Sequence, residues 1–596
     1  MGNTILTRWG KEIDPEHILE EYPRPGMKRD GYVCLNGYWD YAITETPQFP
    51  ETYDGQILVP FSPEAALSGV NRILMPEMFL HYRRQFQAEK MESGKRLLLH
   101  FGAVDLICEV YVNGCRLGEH TGGYWHFSFD ITDFVHEGEN LLQVVVRDPS
   151  DTSYYARGKQ SLERGGMWYT PQSGIWQSVW MEYVPDRFIE AVNLNPDLDS
   201  KCLKIRVTMH DAQRLPMELT VCLKDEAILH AEGMTGDLCR IELPSCRPWT
   251  PEDPVLYDIV IRAGEDEVAS YFAMRKISME KDSKGILRLF LNGRPYFHNG
   301  VLDQGYYPDG LYTPPSDEAM INDILEMKAL GFNMLRKHAK IEPDRWYYHC
   351  DRLGMLVWQD MVNGGERRRS ALKTAVPNLM PEPLRRSRDE NLRVFLRESE
   401  DSREEFAREV AKTVRQLYNY PSIVVWTVFN EAWGEFEAKN ITKQIREMDS
   451  SRLVDEASGW VDQGGGDISS IHNYFLPLKV RPQKDRCVAL SEFGGYSWHI
   501  QDHSWAPNEF GYRKYHTRAT LTMAIERLWR RDLLPNLECG LSAIVYTEVS
   551  DVEDETNGLL TYDREVLKIN HEKICAINRE LLETFESLTS GNDVRA

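Results

Sequence analysis

Ser316-Asp317-Glu318-Ala319-Met320-Ile321-Asn322-Asp323-Ile324-Leu325-Glu326-Met327-Lys328-Ala329-Leu330-Gly331-Phe332-Asn333-Met334-Leu335-Arg336 reads as one helix followed by one strand. Ser316 is placed to cap the helix start, the helix runs through Leu330, and Gly331 is placed to cap its end. Phe332 to Arg336 then gives a short apolar strand. The alternation recurs. A helix around Arg345 to Leu353 stops at Gly354, and Met355-Leu356-Val357-Trp358 is the next strand. Ser402-x-x-Glu405 has the form of a capping box, with Phe406, Val410, Val414 and Leu417 on one helical face ahead of the strand Ile423 to Phe429. Further strands are expected at Pro295 to Val301, Leu453 to Ser458, Ile468 to Tyr474, Val488 to Ser491 and Leu541 to Tyr546. About eight βα units make a (β/α)₈ TIM barrel over 280–596, in which chemistry sits at the C-terminal ends of strands.

Upstream the period is that of β-structure. Leu97 to Phe101 and Glu109 to Val112 are strands, and Asn113-Gly114 between apolar runs signals a tight hairpin. Residues 1–185 are therefore expected to form a jelly-roll β-sandwich. Residues 186–279, with the strands Leu203 to Val207 and Leu256 to Ile261, suit an immunoglobulin-like sandwich. The fold class is multidomain, two β-domains ahead of an α/β barrel. The segment 363–400 is long for a loop and rich in arginine (Arg367, Arg368, Arg369, Arg385, Arg386, Arg388), which suits a lid, an interface or a solvated insertion equally.

At 596 residues, about 150 per domain gives roughly four domains, and two or three large ones fit as well. The fractions of 42% hydrophobic and 27% charged residues are ordinary for a globular chain. Lys+Arg 69 against Asp+Glu 92 leaves a net charge of −23, which repels phosphate backbones and anionic lipid. Nucleic acid and membranes are thus not expected partners; a homo-oligomer is compatible with the chain. The opening Met1 to Leu6 has no basic segment followed by an apolar one, and no stretch reaches the roughly 20 apolar residues of a membrane span. Eleven scattered cysteines form no C-x-x-C pair, so neither a zinc site nor a disulfide framework is expected and reduced thiols in a cytoplasm fit best.

Two glutamates follow apolar strands directly, Glu431 after Val428-Phe429-Asn430 and Glu492 after Val488-Ala489-Leu490-Ser491. Retaining glycoside hydrolysis needs two carboxyls about 5–5.5 Å apart, one protonated to release the leaving oxygen and one ionised to attack the anomeric carbon. An arbitrary glutamate after a strand is more often a helix cap or an ion-pair partner; the flanking residues decide the matter here.

Thr427-Val428-Phe429-Asn430-Glu431-Ala432-Trp433-Gly434-Glu435 resembles the acid/base segment of glycoside hydrolase family 2, and Leu490-Ser491-Glu492-Phe493-Gly494-Gly495 resembles its nucleophile segment. They are 61 residues apart (492 − 431), which suits strands four and seven. Trp168 to Trp180 looks like the end of the family's sugar-binding domain, and the resemblance runs from Leu35-Asn36-Gly37-Tyr38-Trp39-Asp40 to Asn557-Gly558-Leu559. What it implies is an exo-acting β-glycosidase working by double displacement, with Glu431 as general acid/base and Glu492 as nucleophile. It further implies that Asn430 bonds the sugar 2-OH, that Arg336 keeps the nucleophile ionised, and that Tyr474 contacts it. Asp148 or Asp151 would reach over from the first domain, with Asp303, Lys340 and Glu548 as further candidates for the sugar hydroxyls. Trp433 and Trp358 could stack on sugar faces, or belong to the core.

Departures bear on the substrate, expected to be a carbohydrate. Relatives resembling β-glucuronidases carry Asn-x-Lys, whereas here Asn557-Gly558-Leu559 lacks the lysine, so a uronate is disfavoured. Lys337-His338-Ala339-Lys340 and Asp303-Gln304 depart from the pattern of the family's β-galactosidases, and Asp360 lacks the histidine two residues on that a magnesium site would want. No metal and no cofactor are expected. A neutral, β-galactoside-like glycone is the leading expectation. β-glucuronidase or another β-glycoside specificity is the alternative, a transglycosylase shares the same carboxylate pair, and a catalytically inactive carbohydrate-binding protein is the alternative of another class.

Overall fold

A computed structural model describes residues 5–366 and 387–590, so the expectation for the arginine-rich segment largely lies outside the described residues, Arg388 excepted. Two antiparallel sheets form the first domain. One has four strands (Tyr32–Cys34, Val179–Pro185, Lys95–Phe101, Phe127–Asp130) and the other six, running from Gly55–Val59 to Cys115–Thr121. Apolar residues alternate inward along the facing strands, as in Cys108, Val110 and Val112 against Leu97, Leu99 and Phe101, and the core lies between the sheets. Val112 pairs with Cys115 across Asn113-Gly114, the two-residue hairpin expected there; both turn residues have positive φ, which Asn and Gly tolerate. The second domain stacks a three-stranded sheet on a four-stranded one over its own core, from Ile189–Asp197 to Asp266–Phe272.

The barrel strands are β1 (His298–Asp303), β2 (Met334–Lys337), β3 (Leu356–Asp360), β4 (Ile423–Asn430), β5 (Leu453–Ser458), β6 (Ile468–Asn473), β7 (Cys487–Gly494) and β8 (Leu541–Thr547). They form one parallel sheet in the order β5-β4-β3-β2-β1-β8-β7-β6. Side-chain and backbone bonds bridge the β5/β6 seam. Val454 N donates to Asp467 Oδ2 at 2.8 Å, Asp467 N donates back to Val454 O at 2.7 Å, and Ser470 Oγ donates to Asp455 Oδ2. The hairpin of Ile277–Lys281 and Leu287–Leu291 packs Ile277 and Leu289 against residues inside the barrel.

Of the helices, α1 (Asp317–Ala329) is capped by Ser316, whose hydroxyl accepts from Ala319 N, and Gly331 follows it at φ +88. The next, α2 (Asp344–Leu353), ends on Gly354 in the left-handed region, where a Cβ would meet Pro251 O at 2.3 Å. Two expectations need correction. First, Ser402 does not cap α3 (Glu400–Gln416): Ser399 does, accepting from Ser402 N, while Glu405 accepts the Ala156 N–H of the first domain at 3.0 Å. The acidic Glu400 and Asp401 fall in the first turn, where the helix dipole favours them. Second, the segment expected as one strand from Pro295 to Val301 is split. Pro295 pairs with Phe290 beyond the Asn292-Gly293 turn, and β1 begins at His298.

Candidate active site

At the C-terminal end of β4 the chain leaves the strand in left-handed backbone, Glu431 at φ +52 and Ala432 at φ +61, with Glu431 N donating to Ser458 O at 2.6 Å. Such backbone costs a non-glycine residue about 1–3 kcal/mol and persists only where surrounding contacts fix it. Here it turns the carboxyl across the barrel mouth, where Oε1 meets His472 Nδ1 at 2.9 Å. Glu492, on β7, presents its carboxylate from the other side. Nearest ligand atoms of Glu431, His472 and Glu492 all lie within 4.8 Å of one another, and all three residues are buried.

Arg336, at the end of β2 and fully buried, ties the floor of the site together. Its guanidinium donates to both Asp360 oxygens (3.0 and 2.9 Å), to Ser491 O (3.0 Å), to Glu492 Oε1 (3.1 Å) and to Asn430 Oδ1 (2.9 Å). The last bond fixes the Asn430 amide with its oxygen toward Arg336. Tyr474 donates its hydroxyl to Glu492 Oε2 at 2.6 Å and stacks on Tyr512 at 3.7 Å. Burial alone would raise the pKa of Glu492, but His472, Arg336, His338 and the Tyr474 hydroxyl outweigh it and hold the group down at about 2. Asp360 is also held low against its burial by Arg336 and by His338, whose Nδ1 lies 2.6 Å from its Oδ2.

A cavity opens beside these groups. From the barrel Asn430, Glu431, His338, Asp360 and Trp433 wall it; from the first domain come Lys159, Met167 and Trp168. Trp168 meets Trp433 edge to face at 5.2 Å. The loop carrying Lys159 and Trp168 is pinned to the barrel by Ala156 N donating to Glu405, Thr170 N donating to Glu553 at 2.9 Å and the Tyr169 hydroxyl donating to Glu555.

The structure thus brings together Glu431, Glu492, Asn430, Arg336, Tyr474 and Trp433. Other candidates stand elsewhere. Asp148 is buried in the first domain, accepting from Ser150 N and Ser173 Oγ, and Asp151 accepts from Ser161 Oγ and Leu162 N; neither lines the cavity. Asp303 and Lys340 belong to a buried ion network: Lys337 bonds Asp303 and Glu342, and Lys340 bonds Glu342 Oε2 at 2.8 Å and the carbonyls of Gly305 and Tyr312. Trp358 is core, packed inside the barrel with Nε1 donating to His298 Nδ1 at 2.9 Å, because its place on β3 is below the mouth. Glu548 follows β8 and is fully buried; burial and the neighbouring Glu555 raise its pKa well above the carboxylate range, with Lys159 acting the other way.

The sequence reading missed His472, Lys159 and Trp168. His472 had a signal. It precedes Tyr474 by two, so the strand period turns both side chains to the same face. Lys159 had none, because only the packing of one domain on another makes it a cavity residue.

The sugar binding domain of glycosyl hydrolases family 2 matches residues 69–185, and the TIM barrel domain of that family matches residues 288–476; the chain belongs to glycoside hydrolase family 2. A beta-galactosidase of Lactococcus lactis subsp. lactis is 26% identical over 443 residues, covering 72% of this chain and 39% of its own length. A putative beta-glucuronidase of Formosa agariphila is 22% identical over 376 residues, 59% of this chain and 40% of its own. The chain therefore spans less than half the length of these curated relatives. Among solved structures, a beta-glucuronidase of an uncultured Clostridium sp. superposes with TM-score 0.70 at 16% identity, covering 94% of this chain and 99% of that one. A GH2 beta-galacturonidase from Eisenbergiella tayi gives 0.67 at 18%, covering 95% and 98%. These likenesses show the fold.

Proposed function

We propose that the chain is an exo-acting retaining β-glycosidase, with Glu492 as nucleophile and Glu431 as general acid/base. The observation that carries this reading is the pair of carboxyls within 4.8 Å across the barrel mouth, the nucleophile candidate kept ionised by its neighbours. Retention needs carboxyls about 5–5.5 Å apart, whereas inversion leaves roughly 6.5–9.5 Å for a water. Glu431 would protonate the glycosidic oxygen as Glu492 attacks the anomeric carbon, then take a proton from the water that releases the sugar. Asn430 and the walls from both domains would orient the glycone. The eleven free cysteines support a reducing compartment such as the cytoplasm.

The leading glycone is neutral and β-galactoside-like. At the position where a uronate-gripping lysine would stand, Leu559 is packed in the core, and Asn557 Nδ2 donates to Glu555 Oε1 at 3.0 Å. A uronate is the second reading, favoured by Lys159 on the cavity wall. A panel of aryl β-glycosides (galactoside, glucoside, mannoside, arabinopyranoside, glucuronide, galacturonide) tests both. A kcat/KM for either uronide above every neutral glycoside reverses the order, and an α-configured first product from all substrates removes the retaining reading.

A further inference from the structure

His472 spans the β5/β6 seam. Its Nε2 lies 2.9 Å from Ser458 Oγ, and its Nδ1 lies 2.9 Å from Glu431 Oε1 and 3.5 Å from Glu492 Oε2. The ring is buried, with Trp460 edge-on at 6.0 Å. Ser458 Oγ donates to Ser491 Oγ at 2.8 Å, and Ser491 Oγ donates to the carbonyl of Ile471 at 3.4 Å. The polarity of this chain is set from its far end. A carbonyl only accepts, and a hydroxyl has one proton. Ser491 uses its proton on Ile471 and must accept from Ser458, which has then used its own and must accept from Nε2–H. Nδ1 is left facing a carboxyl oxygen at 2.9 Å, a distance two acceptors keep only with a proton between them.

We infer that His472 is a positioning residue for the acid/base carboxyl, holding the transferable proton of Glu431 on the Oε1···Nδ1 line. The inference rests on the reading of Glu431 as acid/base. In the first step that proton passes to the glycosidic oxygen as its bond to the anomeric carbon breaks and the bond from Glu492 forms. Glu431 is then a carboxylate facing a bare Nδ1 along the same line. In the second step water's oxygen bonds the anomeric carbon, Glu492 departs as carboxylate, and water's proton returns to the Oε1···Nδ1 line. No proton is gained or lost over the cycle beyond those of water and products.

Full-length protein carrying imidazole-¹⁵N histidine tests the polarity directly, the His472 signals being assigned by their loss in His472→Asn. Nε2 is expected to be protonated in the wild type and in Glu431→Ala, with Nδ1 moving to the position of a bare ring nitrogen in that variant. Kinetics give the second readout. His472→Asn should lose roughly tenfold more kcat/KM on a methyl glycoside than on a 2,4-dinitrophenyl glycoside, which needs no proton. Ser458→Ala, which keeps the ring, should shift the ratio in the same direction by less. A spectrum with Nδ1 protonated and Nε2 bare, or equal losses on both leaving groups in both variants, overturns the inference and leaves the retaining reading standing. If the wild type cleaves no β-glycoside at all, the retaining reading fails and this inference with it.

Discussion

Replacing Arg336 by glutamine tests why the proposed nucleophile stays ionised. Burial would raise Glu492; His472, through the proton it shares with Glu431, and then the Arg336 guanidinium outweigh it and hold the group at about 2, from an ordinary 4.5. A carboxyl depressed in this way contributes stability that is present above the unfolded value near 4.5 and lost as pH falls toward 2. Arg336→Gln should therefore move the acid limb of kcat/KM to higher pH, and lower kcat/KM about 100-fold or more because a preorganised charge at the reacting centre is gone. An acid limb that does not move would show that burial and histidine alone set the ionisation. The two glutamates should fail differently. With an aryl glycoside whose leaving group needs no proton, Glu431→Ala should form the glycosyl-enzyme and stall, and azide should restore turnover as the β-azide. Glu492→Ala should be inactive in water, and azide should give the α-azide by attack from the vacated face. Azides of the opposite assignment, or near wild-type rates in both variants, would undo the role assignment.

Trp358 on β3 and Trp433 beyond β4 look alike in sequence, each an aromatic at a strand end, yet they sit in different surroundings. Trp358→Phe keeps most of the packed volume inside the barrel but removes the bond to His298, so stability should fall by about 1–3 kcal/mol with KM unchanged. Trp433→Ala removes a cavity wall, so kcat/KM should fall about tenfold, the equivalent of about 1.4 kcal/mol. Parallel unfolding and kinetic measurements check the pair, and a KM effect at Trp358 would place that ring at the sugar. The contrast shows where the sequence is legible. Strand periodicity, Ser316, Gly331, Gly354 and Asn113-Gly114 act through local backbone preferences, so elements and order could be read directly. Glu431 and Glu492, which the structure places across one barrel mouth, were legible as a pair through their flanking residues. How deep a strand residue sits, which of two nearby serines caps α3, and which loop of another domain reaches the mouth depend on contacts between segments far apart in the chain. That is why the sequence left Trp358 open between sugar and core and Asp148 undecided against Asp151, and put the α3 cap at Ser402 instead of Ser399.

At the scale of the whole molecule, the packing of the first domain on the barrel buries carboxyl groups that the sequence alone would leave charged. Glu409 sits at that junction, accepting from the Trp125 indole at 2.7 Å through both oxygens; burial, reinforced by Glu405, pushes its pKa up to about 8. Burial likewise lifts Glu64 and Glu435 to about 8 and Asp351 and Glu553 to about 7. A carboxyl raised in the folded state contributes stability that is fully present below its unfolded value and is lost as pH rises through the folded one. For Glu409 that window runs from 4.5 to about 8. Asp317 and Asp449, held at about 2 by Arg345 and Arg452 against their burial, act in the opposite sense and cost stability only as pH falls below 3.8. The net charge of −23 at pH 7 adds self-repulsion that grows as the remaining acids ionise. By these groups stability is greatest near about pH 4 to 4.5, between the two windows, and Tm falls from there toward about pH 8.5. Glu409→Gln separates the interface from the general trend. Removing one titrating group should flatten the stability loss between pH 6 and 8 by up to about 1.4 kcal/mol per pH unit, while the loss carried by Glu64 and Glu435 persists. Melting curves of wild type and variant across that range decide it, and parallel pH dependences would mean that Glu409 is already ionised at the domain junction in the folded protein.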